Sequence, residues 1–178
     1  MNGAKVYIRA LEPEDVDILY KWENDRRIWH LSNTLAPMSR FNLEQFVLSA
    51  GQDIFSTRQM RLMISLHEAE NGISTIGSVD LFEFEPTHQR AGVGILIHKD
   101  FRGKGYASEA LSLLIDYAFN TLMLHQLFAN ISKDNPDSIR LFESKGFSLI
   151  GIKKDWNRFN NSWHDESLFQ LIHQPAKR

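Results

Sequence analysis

The chain has no cysteine. That excludes a disulfide framework, a cysteine-based metal cluster and any thiol nucleophile. The seven histidines, His30, His67, His88, His98, His125, His164 and His173, show no metal-ligand spacing on a shared face, so no metal is expected. No apolar run approaches the ~20 residues needed to cross a bilayer, and residues 1–6 lack the apolar core of a signal peptide. The expected compartment is the cytoplasm. Neither charge sign dominates: 20 Lys and Arg face 22 Asp and Glu, for a net charge of −2. A nucleic-acid surface would need a basic stripe, so neither nucleic acid nor membrane is an expected partner. Local acidic groups suit a small cation better.

What is present suits one domain over residues 1–178, with 43% hydrophobic residues to fill a core. No internal repeat, linker or low-complexity segment divides it. The most informative stretch is Arg102-Gly103-Lys104-Gly105-Tyr106-Ala107. An apolar run at 93–97 reads as a buried strand before it. After it, Ala107, Ala110, Leu111, Leu114, Ile115, Ala118 and Phe119 recur at the spacing of one helix face. In a strand, glycine turn, helix sequence the turn amides point outward and the helix start adds partial positive charge. Glycines let a ligand approach the backbone with no Cβ in the way. The turn is thus a seat for a phosphate or pyrophosphate. It is not a P-loop, because Gly105 rather than Ser or Thr follows Lys104. Nor is it a dinucleotide fingerprint: Gly92 and Gly94 are followed by Ile97 where a third glycine belongs.

A second segment lies downstream. Residues 127–131 read as a strand, then Asn135-Pro136 caps and opens a helix carrying Ile139, Leu141 and Phe142, which stops at Gly146. Arg102, Gly105 and Ala107 spell R-x-x-G-x-A, and the later run reads N-P-D-S-I-R-L-F-E-S-K-G-F. In this order the two resemble the acyl-CoA signatures of the GNAT N-acetyltransferase family, a resemblance extending from about Val6 to Leu171. Within it, I-R-A-L-E-P-E-D-V, W-E-N-D-R-R-I and R-F-N-N-S-W-H-D-E are similar to spermidine/spermine N-acetyltransferases and to ribosomal-protein alanine acetyltransferases.

Further elements are expected as strands at 5–9, 62–66, 73–84, 92–98, 147–152 and 167–172. Helices are expected from Pro13, with Val16, Ile18, Leu19 and Trp22 facing a core, and over 43–48. Turns are expected at Glu70-Asn71-Gly72 and Asn160-Asn161, and a frayed tail at 175–178. This is a mixed α/β chain with a central, mostly antiparallel sheet and helices on both faces. The resemblance implies a V-shaped splay between the strand ending at Ile97 and the strand from Leu127.

The resemblance also implies acetyl-CoA as cosubstrate. Pantetheine would pair with the strand edge at Ile95, Leu96 and Ile97. The pyrophosphate would meet Arg102, Gly103, Lys104, Gly105, Tyr106 and Ala107, with Asn135, Ser138 and Phe142 beside the cofactor. The acceptor is expected to be a primary amine, polyamines first, attacking the thioester directly in a ternary complex. The alternatives are a protein N-terminus, as on a ribosomal protein, or a CoA-binding sensor without turnover. An aliphatic amine has a pKa near ~10 and arrives protonated, so a base must act. Glu83 is the first candidate for base or amine anchor and Asp80 the second; simple alternation puts Asp80 on the opposite strand face from Glu83 and Glu85. A backbone N–H at Leu96 or Ile97 would stabilise the oxyanion. Trp22, Asp25, Arg26, Trp29 and Glu85 would border the acceptor. The chain departs from the family pattern twice. Phe142 stands where many members have a Tyr that protonates the leaving thiolate, and Gly92 where many have a Glu. Ser138 and Tyr106 are the nearest hydroxyls in sequence. Self-association as a dimer or larger assembly is expected from the family.

Overall fold

Seven strands line up in the order β1-β2-β3-β4-β5-β7-β6. The computed structural model behind this description covers residues 1–27, 29, 36–51, 53–70 and 73–174. The tip of the turn expected at Asn71-Gly72 and the tail at 175–178 lie outside the described residues. The strands are β1 (Val6–Ala10), β2 (Met60–Glu70), β3 (Ile73–Glu85), β4 (Arg90–Ile97), β5 (Gln126–Ser132), β6 (Ser148–Phe159) and β7 (Ser162–Ile172). The helices are α1 (Val16–Glu23), α2 (Arg40–Ser49), α3 (Ile54–Thr57), α4 (Tyr106–Asn120) and α5 (Pro136–Ser144).

Neighbouring strands are antiparallel except β4 and β5. That parallel pair has three rungs, Arg90 with Gln126, Ala91 with Leu127 and Gly92 with Phe128. Beyond Gly92 the strands continue without pairing to each other. This is the expected splay. β4 stays bonded to β3 and β5 to β7 on their outer edges, so only the two inner edges are left for a ligand.

Side-chain alternation divides the core. Ala91, Val93 and Ile97 of β4 join Leu127, Ala129 and Ile131 of β5 beneath α4 and α5. α4 turns Ala110, Leu111, Leu114 and Ala118, all fully buried, onto this face. On the opposite face Leu19 and Trp22 of α1 and Leu43 and Val47 of α2 pack on Met63 and Leu96. Full burial of one such Leu contributes roughly 1.5–3 kcal/mol.

Local chemistry sets the element ends. The Ser39 hydroxyl accepts from the Asn42 amide at 3.0 Å, which starts α2 before the expected residue 43. The β6–β7 hairpin closes where expected: Asn160 and Asn161 both adopt positive φ, 47° and 62°. Asparagine tolerates the left-handed turn that matches strand twist. Pairing therefore continues to Phe159–Ser162, well beyond the strand end expected at 152.

β3 departs from alternation at one point. Three steps from Phe82 to Glu85 face two steps from Gly92 to Arg90, a β-bulge in which Glu83 has φ +48°. The extra residue turns Phe84 onto the core face of Leu81 and Val79. It also returns Glu85, opposite Arg90, to the Asp80 face, correcting the expectation of opposite faces for that pair.

Candidate functional site

The glycine turn forms the end of the splay. Gly103 and Gly105 have φ of 75° and 85°, a region open to glycine without steric cost. Gly105 is the N-cap of α4. A Cβ on Gly103 would meet nothing within 4 Å, so the backbone there is accessible. Among the described residues no protein acceptor takes the amides of Gly103, Lys104 or Gly105. Free amides at a helix start form an anion seat. Lys5, distant in sequence, adds charge: its Nζ donates to Lys104 O at 3.4 Å and lies 3.7 Å from where a Cβ on Gly105 would sit.

The two basic side chains of the turn are partly committed elsewhere. Arg102 Nε donates to Ile97 O at 2.9 Å, tying the loop to the end of β4. Lys104 Nζ reaches Glu70 Oε1 at 2.5 Å, and that hydrogen bond raises the Lys104 pKa. Tyr106 and Ala107 pack partly against the core beneath α4.

Backbone direction sorts the expected pantetheine partners. The His98 N–H donates to Ile76 O on β3 at 2.8 Å. Antiparallel bonding alternates, so Leu96 also turns its amide to β3, while Ile95 and Ile97 turn theirs into the splay. The oxyanion donor expected at Leu96 or Ile97 narrows to Ile97. Across the splay, Asn135 Oδ1 accepts from the Ser138 amide at 3.2 Å, capping α5 while its NH2 group is left for a ligand. Phe142 is 3% exposed and packs edge-on against Phe147, ring centroids 5.0 Å apart. It is a core residue of the wall, with no proton to offer.

On the opposite sheet face a cleft of about 320 Å³ opens over β2 and β3. Its charged lining is Glu23, Arg61 and Asp80, and its walls include Met38, Leu43, Phe46, Ile54, Met60 and Phe82. Arg61 lies opposite Asp80 in the β2–β3 register. Its Nε donates to Asp80 Oδ1 at 2.6 Å and its Nη1 to Glu23 Oε1 at 2.5 Å. The guanidinium also sits over the Phe46 ring at 5.4 Å. Burial opposes the Arg61 charge, but Asp80 and Glu23 outweigh it and raise its pKa. Burial pushes the Asp80 carboxyl above its ordinary range; Arg61 opposes that rise and Glu23 adds to it.

Asp80 also borders β4. A Cβ on Gly94 would lie 3.7 Å from Asp80 Oδ2. One pair further along, a Cβ on Gly92 would fall 2.4 Å from the Phe82 ring. The Phe82 ring meets Phe128 of β5 edge-on, centroids 5.8 Å apart. These two rings floor the splay where its rungs end, and the space beside Gly92 is filled by Phe82.

The other expected residues are distributed differently. Glu83 is exposed on the bulge and lines neither cleft. Glu85 lies 3.8 Å from Arg58, outside the acidic pair. Trp22 and Asp25 line a second cleft with Leu96, Ile97, His98 and Arg102, at the Ile97 end of β4 rather than beside Asp80. Asp25 accepts from Arg27 at 2.8 and 2.7 Å, which holds its pKa at about 2. Arg26 stacks over Trp29 at 5.6 Å, and Trp29 Nε1 donates to Glu23 O at 2.8 Å. His98, missed from the sequence, brings into this second cleft a buried Nδ1 with no hydrogen-bond partner among the described residues. Glu23 and Arg61 were missed as well. Glu23 adjoins Trp22 in W-E-N-D, but only the β2–β3 register reveals Arg61.

Comparison with known proteins agrees with this fold. Residues 5–148 match the acetyltransferase (GNAT) domain model. The chain is 27% identical over 187 residues to the probable N-acetyltransferase YjcK of Bacillus subtilis, covering 97% of this chain and 96% of that protein. It is 27% identical to the spermidine N(1)-acetyltransferase of Vibrio cholerae, covering 96% and 94%. The crystal structure of spermidine N-acetyltransferase from Vibrio cholerae with CoA and spermine superposes with a TM-score of 0.85 at 24% identity, covering 96% of each chain.

Proposed function

This chain belongs to the GNAT acetyltransferase family and is an acetyl-CoA-dependent N-acetyltransferase, and from that premise we propose that it acetylates a primary amine seated against Asp80. The observation that carries this reading is the Asp80 carboxylate, half-buried and facing Gly94 on the strand that borders the splay. Acetyl-CoA supplies the thioester. The open backbone at Gly103, the free loop amides, Lys5 and the Asn135 amide fit its phosphate and pantetheine parts.

The chain's own groups divide the remaining work. Asp80 takes a proton from the incoming ammonium, a transfer favoured by the upward displacement of its pKa. The neutral amine then attacks the carbonyl carbon. The Ile97 amide faces the splay and receives the charge that develops on the carbonyl oxygen. The C–N bond forms, the C–S bond breaks and CoA leaves as a thiolate. With Phe142 in the core, protonation of that thiolate falls to solvent. Glu83 keeps the weaker claim to the base role, since it is exposed on the bulge.

Likeness to spermidine N-acetyltransferases supports an amine acceptor and makes polyamines one class of amine to test. Self-association belongs to the same reading; the exposed apolar Trp156 and Trp163 on β6 and β7 support it. The test is thiol release from acetyl-CoA with and without amine, followed by a colorimetric thiol reagent. The protein contributes no background, having no cysteine. Saturable, amine-dependent release is expected. Release that ignores added amine, from folded protein that binds CoA, would refute an amine acceptor.

A further inference from the structure

The charges in the cleft over β2 and β3 do not balance. Two carboxylates, Glu23 and Asp80, share one guanidinium, Arg61. The cluster therefore carries one net negative charge with every member ionised. The rest of its lining is uncharged and largely apolar, with Leu43 and Phe46 on one side and Met60 and Phe82 on the other. The three side chains are only 19–23% exposed, and leaving a charge uncompensated in so shielded a place is costly. One incoming ammonium would neutralise the cluster, and a second would meet uncharged wall, with Ser49, Thr57 and Gln59 as its polar groups.

Among the described residues no other acid lines the cleft; Asp53 and Glu83, next in sequence to Ile54 and Phe82, are exposed. Between α1 and α2, residues 24–39, the sequence carries a single acid, Asp25. Glu44 follows on α2 but is exposed and does not line the cleft. Glu85 is engaged with Arg58, and Asp25 with Arg27 in the second cleft. A cleft of about 320 Å³ sits at the small end of the roughly 300–1,000 Å³ range of small-molecule sites.

We infer that the preferred acceptor is a primary monoamine with a compact apolar body, its single ammonium closing the charge of the Glu23–Arg61–Asp80 cluster, rather than a polyamine. This rests on the amine-acetyltransferase reading and specifies its acceptor. Arg61 is then the specificity determinant. It cancels one of the two carboxylates and so sets the cleft to accept one positive charge. Proton balance is consistent with this. When Asp80 accepts the proton of the bound ammonium, protonated Asp80, Arg61 and Glu23 together are neutral, and the amine nitrogen is free to form its bond to carbon.

The experiment compares kcat/KM for 2-phenylethylamine, putrescine and spermidine, which carry one, two and three charges near neutral pH, in the thiol-release assay on the full chain. The expected result is a preference of about tenfold or more for 2-phenylethylamine over spermidine. Arg61→Met leaves the cleft one charge more negative and should raise the ratio of putrescine to 2-phenylethylamine about tenfold. Arg61→Lys keeps the charge and should keep the parental order. If Arg61→Met does not fold, Glu23→Gln serves instead: it removes the net charge and should raise KM for 2-phenylethylamine about tenfold. Preference for spermidine in the parent protein, or an order that ignores these substitutions, overturns the inference while leaving the acetyltransferase reading intact. No turnover with any of the three amines overturns the amine-acceptor reading, and the inference with it.

Discussion

The two sides of the splay are assembled in opposite ways. The cofactor side is largely one continuous stretch, β4 through the glycine turn into α4, and its geometry follows from neighbouring residues: Gly105 caps the helix that begins at Tyr106. The proposed acceptor side draws Glu23, Arg61 and Asp80 from a helix and two strands, and a cross-strand register brings them together. A contiguous site fixes a ligand shared by many proteins. An assembled site can change its charge through one substitution in one strand without disturbing the first.

That division can be attacked by substitutions confined to one side. The largest effect is expected at Leu43, 1% exposed beneath α2. Leu43→Ala should destabilise the fold by about 2–5 kcal/mol, read by denaturant unfolding, and should raise KM for the amine more than KM for acetyl-CoA. Next is Gly105→Ala. At φ 85° a Cβ adds about 1–2 kcal/mol of strain, enough to raise KM for acetyl-CoA about tenfold with KM for the amine unchanged. An equal change in both constants for either variant would break the comparison.

Gly92→Ala probes the seam between the sides. Its Cβ would fall 2.4 Å from the Phe82 ring, so overpacking should cost about 1–3 kcal/mol. Coupling to Phe82→Leu should recover most of that loss in a double-mutant cycle; additive effects would show that the two do not compete for the same space. The smallest effect belongs to Asp25. Its folded pKa of about 2 lies below the ordinary value of ~3.9. Its pairing with Arg27 therefore supports the fold fully above that ordinary value and is lost as pH falls through about 2. Asp25→Asn should flatten only this acid limb, and the surface setting keeps the change small. Unfolding midpoints across pH 2–5 measure it.

The same division explains what could be read from the chain. The strand, turn and helix around Arg102–Ala107 depend on local rules for glycine, helix periodicity and anion-binding amides. The Asn135 cap and the Asn160-Asn161 turn are equally local, and the structure has all of them. The acceptor cluster follows no local rule. Nothing in residues 60–62 indicates that Arg61 will face Asp80, because register is decided by the whole sheet. The bulge at Glu83 is similar: period-two alternation cannot foresee one inserted residue, so the face assignment of Glu85 failed. β6 extended further than expected because most of its residues are exposed, which removes the apolar alternation that marks a strand. α3 was missed for a related reason: its four residues are too few to show a period.

The most direct measurement is kcat/KM against pH for the parent protein and Asp80→Asn, with one primary amine as acceptor. The account predicts that the parent rate rises as Asp80 loses its proton, with the acid limb above the ordinary carboxylate range because burial raises that pKa. In the same ionisation Asp80 contributes less to stability as pH rises through the raised value. Asp80→Asn should lose that limb and about 10²–10⁴-fold in rate. An Asp80→Asn protein that is folded, retains the parental limb and turns over at the parental rate would contradict the central claim that the half-buried carboxylate beside the splay activates the amine.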